Sequence, residues 1–576
     1  MSRGLRRKLT SYGDPAFSLF LRKGFIKAMG YSDDALDRPI VGIANTYSDY
    51  NPCHGNVPQL VEAAKRGAML AGALPMVFPT MSIHESFAHP TSMFLRNLMA
   101  METEEMIRAQ PMDSVVLIGG CDKTLPAQLM AAASGDVPAI FLPVGPMAVG
   151  HHRGETIGAC TDCRRHWSAF RAGKIDQEEI DAINDRMVPS VGTCTAMGTA
   201  STMACLTEAM GLCLPMGGSA PATEAERVRI AEETGREAAR LATGNGPTVR
   251  DVLTAKTFHN AMVVLQALGG STNAVVHLAA IAGRVGAKLD LAELDRLGRD
   301  VPVLVDLKPS GAHYMEHFHK AGGIPRLMKE VAGKLHLDAP TIFNGMIGDV
   351  IEAAVDVPDQ RVIRTMADPL KRTGAIAILH GNLAPRGAVI KQSAASPKFA
   401  RHEGRAVVFD SVEDMTARID DPNLAVEAND VLVLRNAGPK GAPGMPEAGY
   451  LPIPRKLAQQ GVTDMVRISD ARMSGTAFGT VILHVTPEAA AGGPLGIVRD
   501  GDVISLDVEA RSVELRIDDI EFRRRMDAFA AEPKSTNGSG RGYSQLYLDR
   551  VMQADEGADF DFLAGPSGGP RSGRIA

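Results

Sequence analysis

Short apolar runs alternate with longer stretches of helical spacing along the first 145 residues. PIVGIAN (39–45) is rich in β-branched side chains and reads as a strand. VPQLVEAAKRGAMLAG (57–72) then places apolar residues at helical spacing. PMVFPT (75–80) is again strand-like, and SMFLRNLMAMETEEMIRAQ (92–110) is helical. SVVLIGG (114–120) and AIFLPVG (139–145) are further strands, separated by a small-residue helix around LMAAAS. This order predicts a parallel sheet covered by helices. Ligands of such sheets sit beyond the carboxyl ends of the strands. Both 45–53 and 119–124 fall there.

The pattern changes twice more. From about 195 to 335 it is largely helical and rich in Ala, Leu and Met, with loops such as GGSTNA (269–274). Most of those Met residues read as core. From about 374, short runs such as AIAILHG, RAVVFDS, DVLVLRN and VILHVTP are separated by Gly, Pro, Asn and Asp. GDVISLDVEARSVELRI reads as a hairpin. The predicted fold class is α/β. A parallel-sheet α/β domain with helices spans 1–370, and a mainly β, barrel-like domain spans 371–576. The polar, Gly-rich stretches 533–542 and 565–573 read as flexible.

Composition narrows the class. The 576 residues are too many for one ordinary domain, and with 45% hydrophobic and 22% charged residues they can bury a large core. A net charge of −6 offers no basic footprint for nucleic acid. The start, MSRGLRRKLTSYGD, is basic but lacks an apolar run after it, so neither a signal peptide nor a membrane span is expected. Seven cysteines in so long a chain do not form a disulfide framework. They point to a reducing cytoplasm, where clustered cysteines mean metal or redox chemistry.

Cys160-Thr-Asp-Cys163 is the obvious cysteine motif, and it suggests zinc or thiol redox chemistry. No second pair has zinc-ribbon spacing, and two ordinary cysteines in a polar loop explain it as well. Cys53 (NTYSDYNPCHGN), Cys121 (IGGCDKT) and Cys194 (SVGTCTAMGTAST) have small, polar neighbours instead of the apolar ones of a structural cysteine. Three thiolates can hold an iron–sulfur cluster with one iron position open. Asp122 is a hard ligand suited to Mg²⁺, and Lys123 could ligate only as a neutral amine or a carbamate. An exposed Asp–Lys pair at a helix start is the plain alternative.

NPCHGN, GGCDKT, GTCTAMGTAST, GPKGAPGMPE and SDARMSGT together resemble the dihydroxy-acid and sugar-acid dehydratases, which include phosphogluconate dehydratase. The likeness covers almost the whole chain, with the motifs in the family's order. It implies a hydro-lyase with a 2Fe–2S cluster and Mg²⁺. By that resemblance Cys53, Cys121 and Cys194 match the cluster ligands. Asp122, Glu447 and Lys123, as a carbamate, match Mg²⁺ ligands, and Ser474 matches the catalytic serine base. Glu85, in MSIHESFAHPT, falls where the family supplies a further metal carboxylate and where branched-chain members usually carry Asp. His54 departs from the Asn of many relatives. The loop around Glu85 is similar to the sugar-acid (aldonate) branch. A homodimer or homotetramer is implied by the resemblance alone.

The substrate so implied is a small 2,3-dihydroxycarboxylate, an aldonic acid such as a pentonate or hexonate, dehydrated to a 2-keto-3-deoxy acid. A branched-chain 2,3-dihydroxy acid is the alternative. Loss of the C3 hydroxide calls for a Lewis acid, and the weakly acidic C2 proton calls for charge stabilisation at the carboxylate. His84 and His89 are candidates to read substrate hydroxyls, each with an ordinary exposed or core role as the alternative. Two other classes compete: a thiol-redox or zinc protein built on Cys160 and Cys163, and a non-catalytic iron–sulfur sensor.

Overall fold

The structure, a computed structural model, describes residues 3–9, 12–135, 137–244, 246–531 and 540–565. Four strands form the first sheet: β1 (Ile40–Asn45), β2 (Leu74–Pro79), β3 (Ser114–Gly119) and β4 (Ala139–Pro143). Their order is β2-β1-β3-β4, and every pairing is parallel. β3 and β4 are buried throughout. Their unbroken apolar runs follow from being covered on both faces. The helices Val57–Leu70, Thr124–Ser134 and Ala225–Thr243 supply that cover, and Ser92–Ala109 packs on Thr124–Ser134. Both suspected stretches leave the carboxyl ends of adjacent strands, β1 and β3.

Several elements lay outside the sequence reading, two of them beside the candidate site. A hairpin, β5 (Gly150–His152) and β6 (Glu155–Ile157), follows the sheet. The helix Thr161–Arg171 comes directly after it. Eight more strands close into a barrel: β7 (Ala377–Gly381), β8 (Ala384–Ile390), β9 (Arg401–Phe409), β10 (Val431–Leu434), β11 (Val466–Ser469), β12 (Val481–Thr486), β13 (Val503–Asp507) and β14 (Ser512–Leu515). β9 through β12 run parallel, while β13 and β14 form the expected antiparallel hairpin. In β10, Val431 and Val433 join one core cluster and Leu432 and Leu434 another. That is the period of two that a strand covered on both faces requires.

The chain then returns to the α/β part. Tyr543 and Tyr547 pack on Phe94, and Arg284 pairs with Asp559. Of the stretches read as flexible, 533–539 and 566–573 lie outside the described residues, while Gly542 already opens the helix Gly542–Arg550. Among the described residues no helix is long and apolar enough to cross a membrane.

Candidate active site

The turn after β1 carries Cys53, and the end of β3 runs through Gly120 into Cys121. His54 staples the two together. Its Nδ1 lies 2.9 Å from the Thr46 carbonyl, and the Gly120 amide donates to its Nε2 at 3.0 Å. That pairing assigns a neutral ring with the proton on Nδ1. Burial agrees, lowering the His54 pKa to about 4. The Sγ atoms of Cys53 and Cys121 and a ring nitrogen of His84 lie within 4.8 Å of one another. The hydrogen bond to Cys121 and burial both push the Cys53 thiol up.

Cys194 approaches from the loop before the helix Thr199–Ala209. Thr195 donates to the Ala159 carbonyl from both its amide, at 3.1 Å, and its hydroxyl, at 2.9 Å. The two segments are thereby clamped, and Cys160 Sγ stands 3.2 Å from Cys194 Sγ.

The carboxylates gather on the same side. Lys123 is wholly buried, its Nζ 3.4 Å from Glu85 Oε2 and 3.6 Å from Asp122 Oδ2. Thr91 Oγ1 donates to Glu85 Oε1 at 2.6 Å, and Ser92 donates to Oε2. Burial raises the Glu85 pKa, but Lys123, Arg472 and the two hydroxyls outweigh it and hold the group well below the usual carboxylate range. Glu447 Oε1 accepts from Arg472 Nη1 at 3.1 Å and from Asn273 Nδ2 at 3.2 Å. Burial and the nearby Glu85 charge raise the Glu447 pKa, against Lys123 and Arg472.

Ser474 sits on the loop after β11, its Oγ 2.9 Å from Thr476 Oγ1. The loop is pressed against the α/β part: a Cβ on Gly475 would stand 2.5 Å from Ser271 Oγ and 2.8 Å from the Thr199 amide nitrogen. Lys391 Nζ donates to the Gly475 carbonyl at 3.1 Å. One cavity of about 520 Å³ is lined by Cys53, Cys121, Cys194, Glu85, Asp122, Glu447 and Ser474, with Lys123 behind its wall.

Family models described as dihydroxy-acid/6-phosphogluconate dehydratase N-terminal and C-terminal match residues 38–350 and 361–558. The chain belongs to this dehydratase family. It is 48% identical to an L-arabonate dehydratase of Azospirillum brasilense, over 95% of each chain. It is 44% identical to a 6-deoxy-6-sulfo-D-gluconate dehydratase of Pseudomonas putida, over 92% of this chain and 91% of that one. A dihydroxy-acid dehydratase of Moorella thermoacetica is 39% identical over 93% of this chain and 97% of its own. The resemblance to the sugar-acid branch is thus borne out at the level of sequence similarity.

All eight site residues that the family resemblance nominated meet at this one place in the dehydratase. His84 reaches the cavity, whereas His89 is exposed and does not line it. Sequence reasoning passed over three contributors and, for a fourth that it did weigh, the pairing with Cys194. Arg472, inside the DARMSGT motif, is fully buried and holds Glu447 and the Met445 carbonyl. Asn273, in the GGSTNA loop, bridges Thr199, Glu447 and the Met473 carbonyl. Arg164 lines the cavity, stacked 5.0 Å from the Tyr450 ring centre, and its buried Nε has no hydrogen-bond partner among the described residues. Cys160 is the fourth. The GTCTAM and CTDC motifs are too far apart in sequence for spacing to join them.

Proposed function

We propose that this dehydratase acts on an aldonic acid and yields a 2-keto-3-deoxy acid. In this reading Cys53, Cys121 and Cys194 hold an iron–sulfur cluster, of the 2Fe–2S type by the family resemblance. Glu85, Asp122, Glu447 and Lys123, as a carbamate, hold Mg²⁺, and Ser474 is the base. The donor chemistry supports two centres. Soft sulfur ligands and hard carboxylates both line the one cavity, and these classes select different metals. Three carboxylates around a buried Lys123 also call for more positive charge than its ammonium and the Arg472 guanidinium together supply.

When bound, the two groups supply Lewis acidity toward the departing C3 oxygen and charge neutralisation at the substrate carboxylate. The remaining work falls to the chain. Ser474 Oγ takes the C2 proton, and Thr476 Oγ1 at 2.9 Å orients that oxygen. Arg472 and Asn273 fix the Glu447 carboxylate so that it need not reorganise as charge develops. The hydroxide leaves C3 with a proton as water, and the enol formed tautomerises to the 2-keto acid.

The observation that carries the aldonate reading is polar provision in the cavity. Arg164 presents an unpartnered N–H, and His84, Ser86 and Thr199 line the same space. A site built for hydroxyls rejects analogues that lack them, because its buried polar groups would be left unpaired. The higher identity to relatives named for sugar acids points the same way. The reading also makes the protein a cytoplasmic homo-oligomer. A substrate panel tests it: pentonates, hexonates, glycerate and 2,3-dihydroxyisovalerate with Mg²⁺, detected as keto acid. An aldonate should show the highest kcat/KM. A clear preference for 2,3-dihydroxyisovalerate would overturn the assignment.

A further inference from the structure

Five cysteines line the cavity, and four of their thiols fall into two pairs. Cys53 and Cys121 lie together beside His84. Cys194 has a thiol neighbour of its own, Cys160, with 3.2 Å between the sulfurs. Two thiolates on one tetrahedral metal, each about 2.3 Å from it, stand roughly 3.8 Å apart. The Cys160–Cys194 pair is close to that spacing. It is also built in, because the double hydrogen bond from Thr195 to the Ala159 carbonyl fixes the backbone next to both cysteines. Cys163 is placed differently, with its thiol turned to the Cys160 carbonyl.

We propose that Cys160 is a fourth, exchangeable thiol ligand of the iron–sulfur centre, bound beside Cys194 until a substrate hydroxyl displaces it. This rests on the reading above, in which Cys53, Cys121 and Cys194 hold the cluster. The exchange involves no oxidation. Cys160 gives its proton to solvent as its sulfur binds iron. When the substrate oxygen takes the position, the thiolate leaves and takes a proton back. A permanent fourth thiolate would leave no place for the C3 oxygen, so the ligand must be displaceable. Its benefit is protection, since Cys160 and Cys194 are only partly buried and an open iron there meets water and oxygen. His84 is the competing ligand. It belongs to the Cys53–Cys121 side, and its Nδ1 already accepts from the Ser86 amide at 3.2 Å.

The test uses anaerobically purified holoprotein with iron counted per chain. Visible circular dichroism and electron paramagnetic resonance of the reduced protein are compared for wild type, Cys160→Ser, Cys163→Ser and His84→Asn. Cys160→Ser should keep the wild-type iron content, shift both spectra and lose iron in air several-fold faster. Cys163→Ser and His84→Asn should keep the wild-type spectra. Wild type alone gives a second reading that no folding defect can affect. Iodoacetamide should label Cys160 at least tenfold more slowly in holoprotein than after a chelator removes the iron. Unchanged spectra in iron-replete Cys160→Ser would overturn the proposal, as would equal labelling in the two forms. Complete loss of iron from folded Cys160→Ser would make the ligand obligatory and overturn the exchange. A wild-type protein without iron would overturn the cluster reading itself, before any variant is made.

Discussion

Ser474 Oγ is a weak base unless its surroundings favour the alkoxide, and its neighbours within hydrogen-bond reach come from its own short loop. Ser474→Ala should therefore keep its iron and its visible absorption while kcat falls by roughly 10²- to 10⁴-fold. Near-normal kcat in iron-replete protein would leave the base unassigned. Glu447→Gln should differ. It removes a charge from the proposed Mg²⁺ set, so titration with Mg²⁺ should restore part of its activity and none of that of Ser474→Ala. Lys391 gives a pH signature nearby. It is wholly buried without a carboxylate partner among the described residues, and burial lowers its pKa from 10.5 to about 7. Between those values the unfolded chain holds a proton that the folded chain has released. Folding stability therefore rises with pH across that window, by up to about 1.4 kcal/mol per unit from this group. Lys391→Met is neutral at every pH, so the difference in urea unfolding free energy between wild type and variant should shift in favour of wild type from pH 7 to pH 10. A constant difference would show that the amine keeps its proton.

At the scale of elements, the site depends on loops held from both sides. The Ser474 loop leaves the barrel after β11 and is seated on the start of the helix Thr199–Ala209. Gly475→Ala would drive a methyl group into the Ser271 hydroxyl and the Thr199 amide, and the amide cannot move without its helix. The expected result is a fall in kcat of at least about tenfold at unchanged iron content, with the loop displaced by about an ångström. Steady-state kinetics beside an iron assay checks it. The cysteine loops after β1 and β3 were legible because each interrupts an apolar run with small and polar residues. The pairing of Cys160 with Cys194 was not. It depends on the hairpin β5–β6 turning the chain and on hydrogen bonds between distant segments, and neither leaves a periodic trace.

The whole molecule is closed by its C-terminal segment, which leaves the barrel and returns to the α/β part. Arg284, fully buried, meets Asp559 through Nε at 2.6 Å and Nη2 at 3.1 Å, with Glu104 at 3.2 Å on its other side. Removing one partner of a buried, hydrogen-bonded pair leaves an uncompensated charge. Asp559→Ala should thus lower the unfolding free energy by about 3–5 kcal/mol, read as a reduced denaturant midpoint. A change below about 1 kcal/mol would mean that water enters and solvates Arg284. The sequence by itself determined the two-part architecture, because buried strands and amphipathic helices write their periods directly into the chain. It also determined the chemistry on offer, since sulfur, carboxylate and hydroxyl donors are visible as residue types in short motifs. Only the tertiary structure decided which donors share a cavity. Arg472, Asn273, Arg164 and Cys160 matter through neighbours 25 to 286 positions away. That closeness is set by strand pairing and by the barrel loop docking on a helix end, which no local pattern records.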